Sequence, residues 1–152
     1  MKLLATPLVI VLLAVSALAQ TRNVDPSAVV DTLYRDHFAH EQNWETSLER
    51  NRAVFAPALL EKIDRVNRLQ EATPDEIVGI DFNPFTNAQE EATGYRVTGT
   101  TREGKDAIVT VAVRFEATPV RVRVRLTPSG SGWLVANLLY DEGNLVAILD
   151  EL

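Results

Sequence analysis

Residues Val120-Arg121-Val122-Arg123-Val124-Arg125-Leu126 alternate apolar and cationic side chains without a break. A strand sends successive side chains to opposite faces, so this stretch has one apolar and one charged surface. It is satisfied only at the boundary of a core, with valines against apolar neighbours and arginines in water or against acids. A helix is a poor home for it, because a period of about 3.6 residues would scatter arginine around the whole circumference. The chain therefore needs a sheet with one covered face, and something to cover it.

The neighbouring sequence supplies both. Tyr95, Val97 and Gly99 alternate with Arg96, Thr98 and Thr100, a turn follows over residues 102–106, and residues 108–115 place Val109, Val111, Val113 and Phe115 on one face. After Thr118-Pro119 comes the arginine strand, then a turn over 128–132 and a last strand over 133–140. Short turns between consecutive strands predict an antiparallel meander. Symmetric hairpins would set Val111 opposite Val97 and Val124, and Val113 opposite Tyr95 and Val122. The opposite face then gathers Arg96, Arg114, Arg121, Arg123 and Arg125.

The cover comes from upstream. Asp25-Pro26 reads as an N-cap and first helical residue, and Val29, Val30, Leu33, Tyr34, His37 and Phe38 recur at helical spacing, predicting a helix over 26–40. A second helical stretch is expected over 44–54. A third starts at Pro57, with Leu59, Leu60, Ile63, Val66 and Leu69 as its stripe, and ends at Thr73-Pro74-Asp75. Residues 79–94 hold Gly79, Asn83-Pro84, Asn87 and Gly94 without a sustained period, so they read as a loop anchored by Ile80, Phe82 and Phe85. Leu145, Ile148, Leu149 and Leu152 predict a short closing helix. The expected fold class is α+β, a curved antiparallel sheet wrapped by N-terminal helices into a cone-like body.

Residues 1–19 follow a different logic. Lys2 is followed by an apolar run over 3–15, broken only by Thr6 and Pro7, and then by Ser16-Ala17-Leu18-Ala19. Small residues at these two positions are what a signal peptidase reads, predicting cleavage after Ala19 and a single domain over 20–152. An uncleaved anchor is the alternative, but it needs about 20 apolar residues, and this run is shorter and interrupted by proline. Export to the periplasm or cell exterior is the expected localisation. Losing Lys2 leaves 14 basic groups against 21 acidic ones.

Composition removes several function classes. The chain has no cysteine, which excludes a disulfide framework, a thiolate metal site, a cysteine nucleophile and a lipidated N-terminal cysteine. A net charge of −6 lacks the basic footprint of a nucleic-acid binder. The sequence contains no phosphate-binding glycine loop, dinucleotide fingerprint or nucleophile elbow, so no cofactor is expected.

Several short motifs occur in a familiar order. Leu33-Tyr34 lies on the first helix, Phe55-Ala56-Pro57-Ala58-Leu59-Leu60 follows, Asn83-Pro84-Phe85 precedes the strands, and the last strand reads Gly132-Trp133-Leu134-Val135-Ala136-Asn137 before Leu138-Leu139-Tyr140. Over residues 26–150 the chain resembles a bacterial domain-of-unknown-function family of exported proteins and small envelope lipoproteins. That family typically has Asp-Pro-Phe in the middle loop and Gly-Trp-apolar-x-Asn/Asp late. The resemblance implies a fold similar to the nuclear-transport-factor and ketosteroid-isomerase cone, with a pocket between helices and sheet. It assigns no activity. Asn83 stands where that family usually has Asp, and the lipoprotein cysteine is missing.

Three groups of residues carry candidate chemistry. His37 and His40 share one helix but match no metalloprotease spacing, so a half-buried structural histidine is expected and no metal site is assigned. Tyr34, Asp81, Trp133 and Tyr140 are pocket candidates: a carboxylate in an apolar pocket rises in pKa, and a tyrosine can hold an oxyanion. Asp81 between Ile80 and Phe82 hints at a partly buried carboxylate, but the expected reading is that it caps a turn and that the aromatics are core. The row Arg96, Arg114, Arg121, Arg123 and Arg125 is the candidate face for an anion or an acidic partner, set against a simple solvated face. Like charges so close imply that acids, counter-ions or a partner sit among them.

Two function classes follow, with a structural envelope module that has no pocket held in reserve. One is an exported domain that binds a protein partner or a small anionic ligand without catalysis, such as an immunity or inhibitor-like protein. The other is a small cofactor-independent hydrolase, isomerase or lyase, with Asp81 as base and Tyr34 or Tyr140 as acid. A cavity holding Asp81 beside a tyrosine favours the second; a filled interior with an unoccupied arginine face favours the first.

Overall fold

The computed structural model describes residues 24–116 and 118–152, so the expected signal segment over 1–19 lies outside the described residues. The order of elements is α1 (Pro26–Ala39), α2 (Trp44–Arg50), a 3-10 turn (Arg52–Val54), α3 (Pro57–Ala72), β1 (Gly94–Glu103), β2 (Asp106–Arg114), β3 (Val120–Ser129), β4 (Gly132–Leu139) and α4 (Leu145–Glu151). The strands form one antiparallel sheet in the order β1-β2-β3-β4. This is the α+β architecture expected, a curved sheet with helices on one face. Among the described residues no helix is long and apolar enough to cross a membrane.

The helices start where their caps dictate. Asp25 accepts the Ser27 amide at 2.9 Å ahead of Pro26, and Asn43 accepts the Thr46 amide at 2.8 Å at the start of α2. Between them Glu41 and Gln42 take left-handed backbone angles, with φ of 57° and 48°. Non-glycine residues pay for that geometry with steric strain. Here the Gln42 amide compensates by bonding both the Ala92 carbonyl and the Ala92 amide at 2.9 Å, which fastens the helix corner to the end of the long loop. The helix expected over 44–54 is broken at Asn51. Its side chain donates to Asp36 Oδ2 and to the Ser47 carbonyl, both at 2.8 Å, and the chain tightens into the 3-10 turn.

The core lies between α1 and the valine face of the sheet. Val109, Val111, Val113, Val122 and Val124 are fully buried, as are Val30 and Tyr34 from α1. Each such valine contributes about 1.5–3 kcal/mol by leaving water. The β4 edge is closed by residues 55–56, where the Ala56 amide donates to the Val135 carbonyl at 2.8 Å. Shifts in the pairing at Val97/Gly99 and at Arg125/Leu126 add twist and curvature.

The first hairpin has the register expected, with Val97 opposite Val111 and Tyr95 opposite Val113. The second is displaced by two residues: Val111 faces Val122, and Val113 faces Val120. An even displacement keeps every valine inward, so the apolar pattern cannot distinguish the two registers. Charge can. The expected register would set Arg114 directly against Arg121, whereas the observed one puts Ala112, Thr110 and Ile108 opposite Arg121, Arg123 and Arg125. β2 ends at Arg114, one residue short of Phe115, which is half-buried and packs against the same core as the valines.

Candidate functional site

The four pocket candidates do not converge. Tyr34 is fully buried on α1 and donates its hydroxyl to the Phe85 carbonyl at 2.7 Å. Tyr140, 2% exposed at the end of β4, donates to the Pro84 carbonyl at 3.1 Å. The two tyrosines thus grip consecutive carbonyls of the Asn83-Pro84-Phe85 turn from opposite sides. Burial, reinforced by Tyr140 nearby, pushes the Tyr34 hydroxyl well above its ordinary pKa, and burial raises Tyr140 as well. Neither hydroxyl has solvent access.

Asp81 is not partly buried. It is exposed, and its only described side-chain bond is a long one from Gln89 at 3.4 Å. Its apolar neighbours Ile80 and Phe82 pack inward without it; in an irregular loop, adjacent apolar residues do not carry the residue between them into the core. Trp133 sits at the far end of the sheet, donating to the Val24 carbonyl at 2.8 Å beneath the Arg102 guanidinium, 4.5 Å from its ring centre. The pocket constellation therefore reduces to two structural tyrosines.

Beside them lies a polar chain that sequence reading does not single out. His37 and Ser47 are fully buried, with His37 Nδ1 2.8 Å from Ser47 Oγ, which in turn donates to the Asn43 carbonyl at 2.8 Å. His37 Nε2 meets Asn83 Nδ2 at 2.9 Å. The Asn83 orientation is fixed, because its Oδ1 accepts the Phe85 amide at 3.0 Å and its Nδ2 also donates to the Gln42 carbonyl at 2.9 Å. Nε2 must then accept and Nδ1 must donate, which defines a neutral imidazole. Burial lowers the His37 pKa to about 4, against the pull of Asp36. Serine, histidine and amide in series look like a nucleophilic relay, but the sealed hydroxyl can attack nothing. His40 takes a separate path, bonding the Asp36 carbonyl at 2.8 Å, so the two histidines do not share a site.

The arginine face is where sequence and structure agree best. The register places all five arginines on the surface opposite the valines. They then divide into two groups. Arg121 pairs with Asp141 at 2.8 Å, and Arg125 with Glu103 at 2.7 Å and Asp106 at 3.3 Å. Those bonds, Glu103 first, raise the Arg125 pKa further. Arg123 lies partly buried, donating to the Tyr140 carbonyl at 3.3 Å while its Nε has no partner. Ile108, paired across the strands with Arg125, lies on this same face and is only 3% exposed.

Arg96 and Arg114 differ. Both are exposed, and neither has an ion pair among the described residues. With Tyr95, Ala112 and Pro119 they line a hollow of about 470 Å³. Gly94, read from sequence as a loop residue, instead opens β1 opposite Arg114, and a glycine at an outward strand position is a signal that something lies across it. A hollow of about 280 Å³ next in sequence, at the end of β2, is lined by Glu90, Glu91 and Glu116 together with Thr93 and Phe115.

No protein-family model matches this sequence, and no curated protein matches it. Among solved structures, the fold is similar to a chain of the type VI native effector-immunity complex Tae3-Tai3 from Ralstonia pickettii, 18% identical. The likeness covers 76% of this chain and 92% of that one, with a TM-score of 0.52. At that identity the two chains share an architecture, and it is the α+β architecture just described.

Proposed function

We propose that this protein is an exported domain that binds a protein partner and performs no catalysis, in the manner of an immunity or inhibitor protein. The observation that carries this reading is the sealed interior. Every polar group that the catalytic alternative would use is either buried and bonded to the protein's own backbone, as Tyr34 and Tyr140 are, or exposed apart from them, as Asp81 is. What chemistry remains available is on the outside, in the arginine face. Support also comes from the likeness to a chain of the Tae3-Tai3 effector-immunity complex, in which two proteins bind each other. The motif resemblance to exported envelope proteins and the signal-like residues 1–19 belong to the same reading.

Affinity capture from the cell envelope, with cross-linking and mass spectrometry, tests it. The expected result is one protein recovered at fixed stoichiometry, on a bait whose sequence begins at Gln20. Recovery of no protein, together with turnover of an ester or carbonyl substrate that is lost in Tyr34→Phe or Tyr140→Phe, would reverse the assignment.

A further inference from the structure

Resting on the partner-binding reading above, we propose that the hollow between Arg96 and Arg114 seats an acidic side chain of the protein partner, its carboxylate bridging the two guanidinium groups. The five arginines of the face share one environment in sequence, yet three of them are engaged within the molecule and, among the described residues, these two are not. Arg96 is opposite Ala112, and Arg114 is opposite Gly94, so the two arginines are diagonal neighbours on adjacent strands. Diagonal positions lie about 7–8 Å apart, within reach of long side chains. Two guanidinium groups at that spacing repel each other until an anion lies between them, and a carboxylate offers two oxygens to do so.

Gly94 shapes the seat. A Cβ placed there would be 2.4 Å from Arg114 Nη2 and 3.2 Å from its Cζ and Nε, so the guanidinium lies against the bare β1 backbone. Gly94 has no left-handed backbone angle to account for it, and its missing side chain serves as space. The floor of the hollow includes Ala112 and Pro119, which suits the methylene stem of a glutamate better than a hydrated inorganic anion. The nearby hollow lined by Glu90, Glu91 and Glu116 gives a folded partner a place for a base beside the acid.

The test follows the arginine Nε–H NMR signals of the purified protein during titration with a hexaglutamate peptide, with hexaglutamine and inorganic phosphate as comparison probes. Saturable shifts at Arg96 and Arg114 with hexaglutamate, and much smaller ones with the other two probes, are expected. Gly94→Ala should stay folded, because only the flexible end of Arg114 must move, and should lose the Arg114 response. Towards the captured partner, Arg96→Gln and Arg114→Gln should each weaken affinity about tenfold, and Arg121→Gln by less than about twofold. Equal shifts with phosphate, an unaltered response in Gly94→Ala, or equal weakening by Arg121→Gln would overturn the proposal and leave partner binding standing. Absence of any captured partner would remove the partner-binding reading, while the hexaglutamate titration still decides whether the hollow takes carboxylates.

Discussion

Two polar regions flank the same sheet, and they differ in how completely they are bonded. Inside, the chain from Asn43 through Ser47, His37 and Asn83 to the Phe85 amide leaves no side-chain donor idle, and the tyrosines complete it at the adjacent carbonyls. Outside, the arginine face is bonded at its β3 end and open at Arg96 and Arg114. A saturated, buried network holds elements together, here α1, α2 and the loop before β1. An exposed and incomplete one is free to bond something else. The difference locates structure in the first region and recognition in the second.

Substitutions should separate the two regions by the size of their effects on stability. The largest loss is expected for Tyr34→Ala, which removes a fully buried ring as well as the hydroxyl bond and should cost about 4 kcal/mol in urea unfolding. Acidification comes next. The His37 pKa is lowered to about 4 in the folded chain, so the unfolded chain binds the proton first as pH falls below its ordinary value of 6.5. Stability from this group is full above pH 6.5 and should fall by about 3 kcal/mol as the pH approaches 4. His37→Gln should lack that part of the pH dependence. Tyr140→Phe should cost about 1–2 kcal/mol, because the Pro84 carbonyl is left without its donor. Arg121→Gln should change stability by less than about 0.5 kcal/mol, since its ion pair with Asp141 is largely in water. A large loss from Arg121→Gln would erase the contrast; a flat pH profile for His37 would remove its inner half.

A sharper probe exchanges one polar group for another. Asn83→Asp replaces the donor facing His37 Nε2 with a carboxylate, which can be satisfied only if the ring takes a proton. The His37 pKa should rise, as read by the NMR titration of its ring protons. The Asn-Pro-Phe turn thus goes with a neutral histidine.

The strands and faces were legible because burial on one side of a sheet imposes a period of two that no other element shares. The register of the second hairpin was not, since valine replaces valine at every even shift. In the arginine row, the positions could be read from spacing. Their division into bonded and open members could not, because Glu103 and Asp106 reach the row from the strand ends of the first hairpin and Asp141 from the segment after β4. Asp81 and the histidine chain show the same limit: a loop has no period, so whether Asp81 or Asn83 turns inward depends on contacts with distant elements. Asn83 meets His37 46 positions away, and nothing local announces it.

The displaced β2–β3 register has a kinetic consequence. Two alignments of this hairpin bury equivalent valine rows, and repulsion between Arg114 and Arg121 is what penalises the wrong one as the strands first meet. That penalty acts through solvent and is screened by salt, with a Debye length of about 10 Å at 0.1 M and about 3 Å at 1 M. Refolding in concentrated salt should therefore send more chains through the misaligned hairpin, and they must unzip before β4 can dock. The arginines would then proofread the sheet during folding as well as face the solvent afterwards, and a rise in ionic strength would slow assembly while leaving the finished protein unharmed.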